Sequence, residues 1–319
     1  MKVELNVETI HLTYPLVETS RFQPQVLAIG DFDGVHLGHR EVIERAAATA
    51  RRQQMTCAIM TFHPHPREVL GQSKYVQLLT PLDEKTKQLE KLGVDYTYIV
   101  TFDPTFMQVT PQQFVERMLL PMKVDTVIVG FDFTFGYKGE GTPDTLCELA
   151  KGRFAVEVVR PFHLEGHKVS STLVRSHLLA GEVEQAARLL GRPYRLTGEV
   201  VHGEKRGRTI GFPTANIAVT GKYVIPANGV YAVTVTVDDR TYLGVMNIGV
   251  KPTFTEGDAA PTVEAHLFDF SGDLYGKQAA VDIVAFLRPE RKFDSVQQLI
   301  EQIRSDAAQG QLILAEKGQ

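Results

Sequence analysis

Apolar residues change their spacing partway along the chain. In the first half, short continuous apolar runs occupy positions 26–29, 56–62, 96–102, 126–129 and 155–159. Such runs read as strands buried on both faces. Between them lie helix-forming segments. Residues 40–48 carry strong helix formers, and 82–92 has Thr80 as a candidate N-cap, Pro81 at its first position and Gly93 just past its end. Thr110-Pro111-Gln112-Gln113 is a capping box opening a helix to about Leu120, and Thr142-Pro143 opens another. Helices at 170–180 and 183–190 close this half. Strand–helix alternation predicts a parallel sheet with right-handed crossovers, and ligands on such sheets bind at the carboxyl ends of the strands.

Beyond Gly191-Arg192-Pro193 the pattern changes. Short strands at 196–201, 230–237, 242–248, 263–268 and 279–286 follow one another without helices, which predicts a small antiparallel barrel. One amphipathic helix, at 296–303, is expected to end the fold. The expected organisation is an α/β Rossmann-like domain over 1–190 and a β-barrel domain with a C-terminal helix over 191–319.

A chain of 319 residues accommodates two such cores. Its formal net charge of −4 lacks the basic footprint of a nucleic-acid binder. Phosphate binding must therefore come from local clusters and backbone N–H groups. The N-terminus carries no signal-peptide core, and no apolar run approaches the ~20 residues that span a bilayer, so a cytoplasmic protein without membrane partners is expected. Cys57 and Cys147 read as buried packing residues.

Candidate chemistry begins at Gly30-Asp31-Phe32-Asp33-Gly34-Val35-His36-Leu37-Gly38-His39, a glycine-rich turn between a buried strand and a helix. A helix start offers unpaired N–H groups and a partial positive charge to a phosphate. Two imidazoles three residues apart add donors for the charge that builds on phosphate oxygens. His63 and His65 end a strand and read as a rigid pocket wall or, alternatively, metal ligands. The aromatic segment 130–136 reads equally as core packing or as a pocket for a planar ring. Ser170-Ser171-Thr172-Leu173-Val174-Arg175 is an N-cap or a polyphosphate site built from hydroxyls and a guanidinium.

In the second half, the basic loop from Gly203 through Lys205 to Gly211 either covers phosphates or is a solvated turn. Thr214 and Asn216, two residues apart in an extended segment, point to one side and offer hard oxygens suited to Mg²⁺. Glu264 and His266 share a strand face. If that face is the barrel interior, Glu264 is a general base or a structural hydrogen-bonding group.

Taken together, Gly30 to His39, Phe131 to Gly136, Ser170 to Arg175, Gly211 to Asn216, Asn228-Gly229-Val230-Tyr231 and Val263-Glu264-Ala265-His266 resemble the bacterial bifunctional FAD synthetases, which are riboflavin kinase/FMN adenylyltransferases. The resemblance implies that riboflavin is phosphorylated with ATP to FMN, and that FMN is adenylylated with ATP to FAD and pyrophosphate. It implies ATP or phosphate contacts from Gly30, Phe32, Gly38, Ser171, Thr172, Arg175, Gly203, Lys205 and Gly211. His36 and His39 act on the adenylyl transfer, Glu264 is the kinase base, and Thr214 and Asn216 hold the Mg²⁺–nucleotide. Phe62, Asp132 and Phe133 are implied near the flavin ring of FMN. The rival expectations are a flavin-binding regulator and a homologue with one live activity, each retaining both pockets.

Overall fold

The structure is a computed structural model and describes residues 7–203, 207, 210–250 and 261–317. By contacts the chain forms two compact units, Met1–Ser171 and Thr172–Gln319.

The first unit is built on a six-stranded sheet, all of whose pairings are parallel. Its strands are β1 (Glu8–Leu12), β2 (Gln25–Ile29), β3 (Thr56–His63), β4 (Tyr96–Thr101), β5 (Val124–Gly130) and β6 (Ala155–Val159). The helices are α1 (Leu37–Gln53), α2 (Pro66–Val69), α3 (Leu82–Glu90), α4 (Pro111–Phe114) and α5 (Pro143–Ala150). The strand order is β1-β4-β3-β2-β5-β6. Successive residues of a strand face opposite sides, so Leu27, Ile29, Met60, Val127 and Val129 enter one core while Val26, Ala28, Ile59 and Ile128 enter another. Two covered faces explain why the strands read as unbroken apolar runs. On α1, Val42, Ile43, Ala46, Ala47 and Ala50 are buried at helical spacing.

Three local expectations change here. The N-cap of α3 is Pro81, one residue past Thr80 and without a side-chain bond, while the Thr80 N–H donates to Asp33 Oδ1 at 3.1 Å. Cys147 is exposed while Cys57 is buried, since Leu146 and Ala150 are the positions of α5 that face the core. The edge strand β1, which the sequence pattern did not predict, pairs with β4. The capping box holds as expected: Thr110 Oγ1 accepts from Gln113 N, and Gln113 Oε1 accepts from Thr110 N. Beyond α4 the helix widens to a π-turn over Val115–Leu119. A small hairpin, β7 (His163–Leu164) and β8 (His167–Lys168), follows β6.

The second unit begins with α6 (Ser171–Leu179, whose first residue closes the first unit) and α7 (Val183–Leu190). A closed barrel follows, made of β9 (Tyr194–Val201), β10 (Ala215–Val219), β11 (Gly229–Val237), β12 (Arg240–Val250), β13 (Pro261–Leu267) and β14 (Gln278–Arg288). Its order is β10-β13-β12-β11-β14-β9, with every pairing antiparallel. The last helix, α8, runs from Val296 to Lys317 and so extends well past Ile303. Gly310 lets it lie close to the barrel, because a Cβ there would meet Val245 Cγ1 at 2.8 Å.

A charge-assisted clasp holds α8 in place. Arg288 donates from Nε and Nη2 to both oxygens of Asp306 at 2.8–3.1 Å, and Gln302 Nε2 donates to Asp306 Oδ1 at 2.7 Å. Asp306 is buried, so removing it strands the guanidinium of Arg288 against the barrel. Asp306→Ala is expected to destabilise the second unit by about 3 kcal/mol, the lower end for a broken buried pair because Arg288 is partly exposed. Urea denaturation followed by far-UV circular dichroism measures this loss.

Candidate active sites

The first site forms where β2 passes into α1. Strand β2 pairs with β3 on one side and β5 on the other, which is the switch point where a crevice opens beyond the carboxyl ends. The turn that leaves it is strained. Phe32 and Val35 adopt positive φ of 50° and 42°, and a branched residue there is an outlier costing on the order of 1–3 kcal/mol.

Neighbours hold the turn at each step. Gly30 N donates to Met60 O at 3.1 Å. Asp31 O accepts from Thr61 Oγ1 at 3.0 Å and from Lys85 Nζ at 2.6 Å. Asp33 Oδ1 accepts from Leu79 N at 2.8 Å and Thr80 N at 3.1 Å, and Ser171 Oγ donates to Asp33 O at 2.8 Å. Side chains at two glycines would disturb this region: a Cβ on Gly30 would press on the Phe32 ring, and one on Gly38 would lie 3.2 Å from His36.

The two histidines form a stacked pair with ring centroids 3.6 Å apart. His36 is the N-cap of α1, and its Nδ1 accepts from His39 N at 3.1 Å. An accepting Nδ1 leaves the proton of neutral His36 on Nε2. His39 also meets Phe32 edge-on. Burial first, then the neighbouring His36 and Lys85, hold the pKa of His39 well below its ordinary value, so this imidazole is neutral at physiological pH. Its Nδ1 is buried and finds no hydrogen-bond partner among the described residues.

The remaining residues of this unit take diverse positions. His63 is exposed. His65 is buried, caps α2 by accepting from Arg67 N at 3.1 Å, and stacks on Tyr75. Among the described residues, no group of three His, Cys, Asp or Glu side chains is placed to hold a metal ion. Phe62 and Phe133 both pack, half-buried, against the same core cluster, whereas Phe135 belongs to it. Asp132 is exposed and ion-paired with Lys168 at 2.8 Å, and the same ammonium lies over the exposed ring of Phe131. Thr172 and Arg175 follow Ser171 on α6, and Arg175 is buried.

The second constellation lies on the barrel wall. Asn216 of β10 stands directly opposite Glu264 of β13, and Glu264 directly opposite Asn247 of β12. Such cross-strand neighbours have Cβ atoms about 5 Å apart. On β13, Val263, Ala265 and Leu267 are buried, so the face shared by Glu264 and His266 is the outer one and not the interior. His266 Nδ1 donates to Pro213 O at 2.9 Å, and its ring meets Phe212 edge-on. That anchors the segment leading into Thr214 and Asn216. A Cβ on Gly203 would clash with the carboxamide of Asn216, and one on Gly207 would clash with Phe212 O. Gly203 therefore lies against Asn216, and Gly207 against Phe212. Gly211 holds φ of +88°, and Lys205 lies outside the described residues.

Sequence reasoning passed over Lys85 and Asn247. Lys85 follows Glu84 on a helix and looks like part of a solvated face. Asn247, a lone amide within the apolar run of β12, carried a signal that could have found it.

The depressed pKa of His39 makes stability depend on pH. In the unfolded chain this histidine binds a proton near pH 6.5, and in the folded one it resists, so stability falls as pH drops below about 6.5. His39→Asn is expected to flatten the acid-side loss between pH 6.5 and 5 by up to about 1.4 kcal/mol per pH unit. Denaturation curves of both proteins across that range test it.

Comparison with known proteins bears on both units. The FAD synthetase family model matches residues 18–173, and the riboflavin kinase model matches 190–314. The bifunctional riboflavin kinase/FMN adenylyltransferase of Bacillus subtilis is 43% identical over 94% of this chain and 96% of its own. That of Escherichia coli K12 is 38% identical over 88% and 90%. A solved structure described as a macrolide-efflux protein from Streptococcus pneumoniae is 33% identical, with a TM-score of 0.84, and covers 92% of this chain and 97% of that one. Among the described residues, no helix here is long and apolar enough to cross a membrane. Matches over both halves disfavour a regulator or a chain with one activity. The chain belongs to the family of bifunctional riboflavin kinases/FMN adenylyltransferases, phosphorylating riboflavin to FMN and adenylylating FMN to FAD.

Proposed function

We propose that the two activities use separate ATP sites: the β2–α1 turn with its imidazole pair serves adenylyl transfer, and the outer wall of the barrel serves phosphorylation. The functional division then falls at 1–190 and 191–319, which the extents of the two family models support. The observation that carries this reading is the barrel register, which sets the carboxylate of Glu264 beside the amide of Asn216.

In adenylyl transfer, an FMN phosphate oxygen attacks the α-phosphorus of ATP. That P–O bond forms as the bond to the β-phosphate breaks and pyrophosphate leaves, with no covalent enzyme intermediate. Gly30, Phe32 and Gly38 line the phosphate approach, and the start of α1 directs backbone N–H groups toward it. His36 donates from Nε2 to the oxygens that gain charge, with His39 beside it. Ser171, Thr172 and Arg175 hold the leaving pyrophosphate. Phe62 and Phe133 flank the flavin ring. Asp132, exposed and ion-paired with Lys168, lies beside the ring in this reading and is given no charge-dependent step.

In the kinase, Glu264 takes the proton of the ribityl 5′-hydroxyl as its oxygen attacks the γ-phosphorus. The hydroxyl of Thr214 and the amide oxygen of Asn216 are neutral hard donors. They fit an Mg²⁺ whose other positions go to phosphates and water, and with no carboxylate cage among the described residues the nucleotide must supply the anionic ligands. When bound, that ion neutralises charge on the transferred phosphoryl group. The loop carrying Gly203, Lys205 and Gly211 covers the phosphates. Both steps consume ATP, which supports a cytoplasmic location, and the net charge of −4 argues against a nucleic-acid partner.

Glu264→Gln is expected to abolish FMN formation from riboflavin while sparing FAD formation from supplied FMN. Replacing both His36 and His39 with Ala should do the reverse. Each histidine contributes about 3 kcal/mol to the transition state, so a single replacement should slow adenylyl transfer roughly a hundredfold. Chromatography of the flavin products reads both steps, and loss of both in either variant would contradict separate sites. Gly203→Ala, which displaces the Asn216 amide, should slow phosphorylation by about a hundredfold with adenylyl transfer unchanged in the same assay.

A further inference from the structure

Lys85 is a buried cation that neither reaction, as derived above, uses. It sits in the first turns of α3, only 4% exposed. Its Nζ donates to Asp31 O at 2.6 Å and to Thr61 Oγ1 at 3.3 Å, while Thr61 Oγ1 donates to the same carbonyl at 3.0 Å. Both lone pairs of the Asp31 carbonyl are thereby engaged. The next residue, Phe32, is one of the two strained positions of the turn. One residue further on, the Asp33 carboxylate is gripped by the N–H groups of Leu79 and Thr80, which lead into α3. One helix and its approach therefore hold the histidine turn at two points.

We propose that Lys85 is a positioning residue for adenylyl transfer: its ammonium locks the Asp31 carbonyl and so keeps the strained turn presenting His36 and His39 to the nucleotide. This rests on the reading of the histidines given above. Without Lys85, the Asp31 carbonyl keeps one donor, Thr61 Oγ1, where it now has two. The ammonium also sets the charge of the site. The groups around it are the carboxylates of Asp31 and Asp33, the guanidinium of Arg67, the imidazoles of His36 and His39, and that of His65, whose Nε2 lies 3.8 Å from Asp31 Oδ2. Burial lowers the pKa of Lys85 against the pull of Asp33 and Asp31, and raises that of Asp31 against the pull of Lys85 and Arg67. Lys85 in turn contributes to the low pKa of His39, after burial and His36.

The test uses the full chain and both of its reactions. Lys85→Met removes lock and charge; Lys85→Gln keeps a donor for the Asp31 carbonyl and removes only the charge. Lys85→Met should lower kcat for FAD formation ten- to a hundredfold, the scale of a donor misplaced by about 1 Å, while riboflavin phosphorylation by the same molecules stays unchanged. Lys85→Gln should recover part of that loss. In both variants the acid limb of the kcat profile should move to higher pH, because His39 then protonates more readily. In a His39→Ala background, Lys85→Met should cost less than about threefold, because the two changes act through one turn. Unchanged adenylyl transfer in Lys85→Met, a parallel fall in both reactions, or a full additive loss in the His39→Ala background would each overturn the proposal. If Lys85→Met does not fold, Lys85→Gln carries the pH and additivity arms. Should His39→Ala itself leave adenylyl transfer intact, the failure lies in the histidine reading, and the role of Lys85 falls with it.

Discussion

A strand hydrogen-bonded on both sides cannot slip, because a shift of one residue would turn every side chain to the wrong face. Both candidate sites depend on this constraint. Strand β2 is held between β3 and β5, so its end, and with it the turn into α1, is fixed to the residue. Strand β13 is held between β10 and β12, so Glu264 must stand beside Asn216 and Asn247. In each case the chemistry-bearing side chain sits on, or one turn away from, backbone that has no freedom to move.

The sites use that rigidity differently. At the β2–α1 turn it supports strain: positive φ at Phe32 and Val35 persists because surrounding donors and acceptors over-determine the path. The His39 imidazole, its pKa held low first by burial, is neutral there, and in the proposed reaction the stacked pair donates to phosphate oxygens. The barrel instead presents its polar row on the outer wall, leaving the interior to Val263, Ala265 and Met246. A carboxylate there stays close to solvent, and Gly203 lies against the Asn216 carboxamide beside it. In the proposed scheme, acceptance of a proton from a hydroxyl and donation to phosphate oxygens thus take place in two differently hydrated environments.

Much of this was legible in the sequence, for identifiable reasons. Residues 26–29 and 56–62 announced a doubly covered sheet because both of their faces are buried. Thr110 and Gln113 announced a helix start because the capping box is local chemistry. What failed depended on tertiary contacts. The last helix was expected to stop near Ile303 and instead runs on to Lys317, with Gly310 at the point of close approach between α8 and Val245. Cys147 looked like core and faces away from it. The face of Glu264 could not be chosen from alternation alone, since period two marks which residues share a side and not which side is inside. Lys85 gave no signal, because a lysine beside a glutamate on a helix is ordinarily solvated, and only the fold brings it under Asp31.

The central claim is that one chain carries two distinct ATP pockets built from separate sets of its own residues. Equilibrium binding of a non-hydrolysable ATP analogue with Mg²⁺ to the intact protein, without flavin, tests it most directly. The account predicts two equivalents bound per chain at saturation. A single equivalent, with no second binding step as concentration rises, would contradict it.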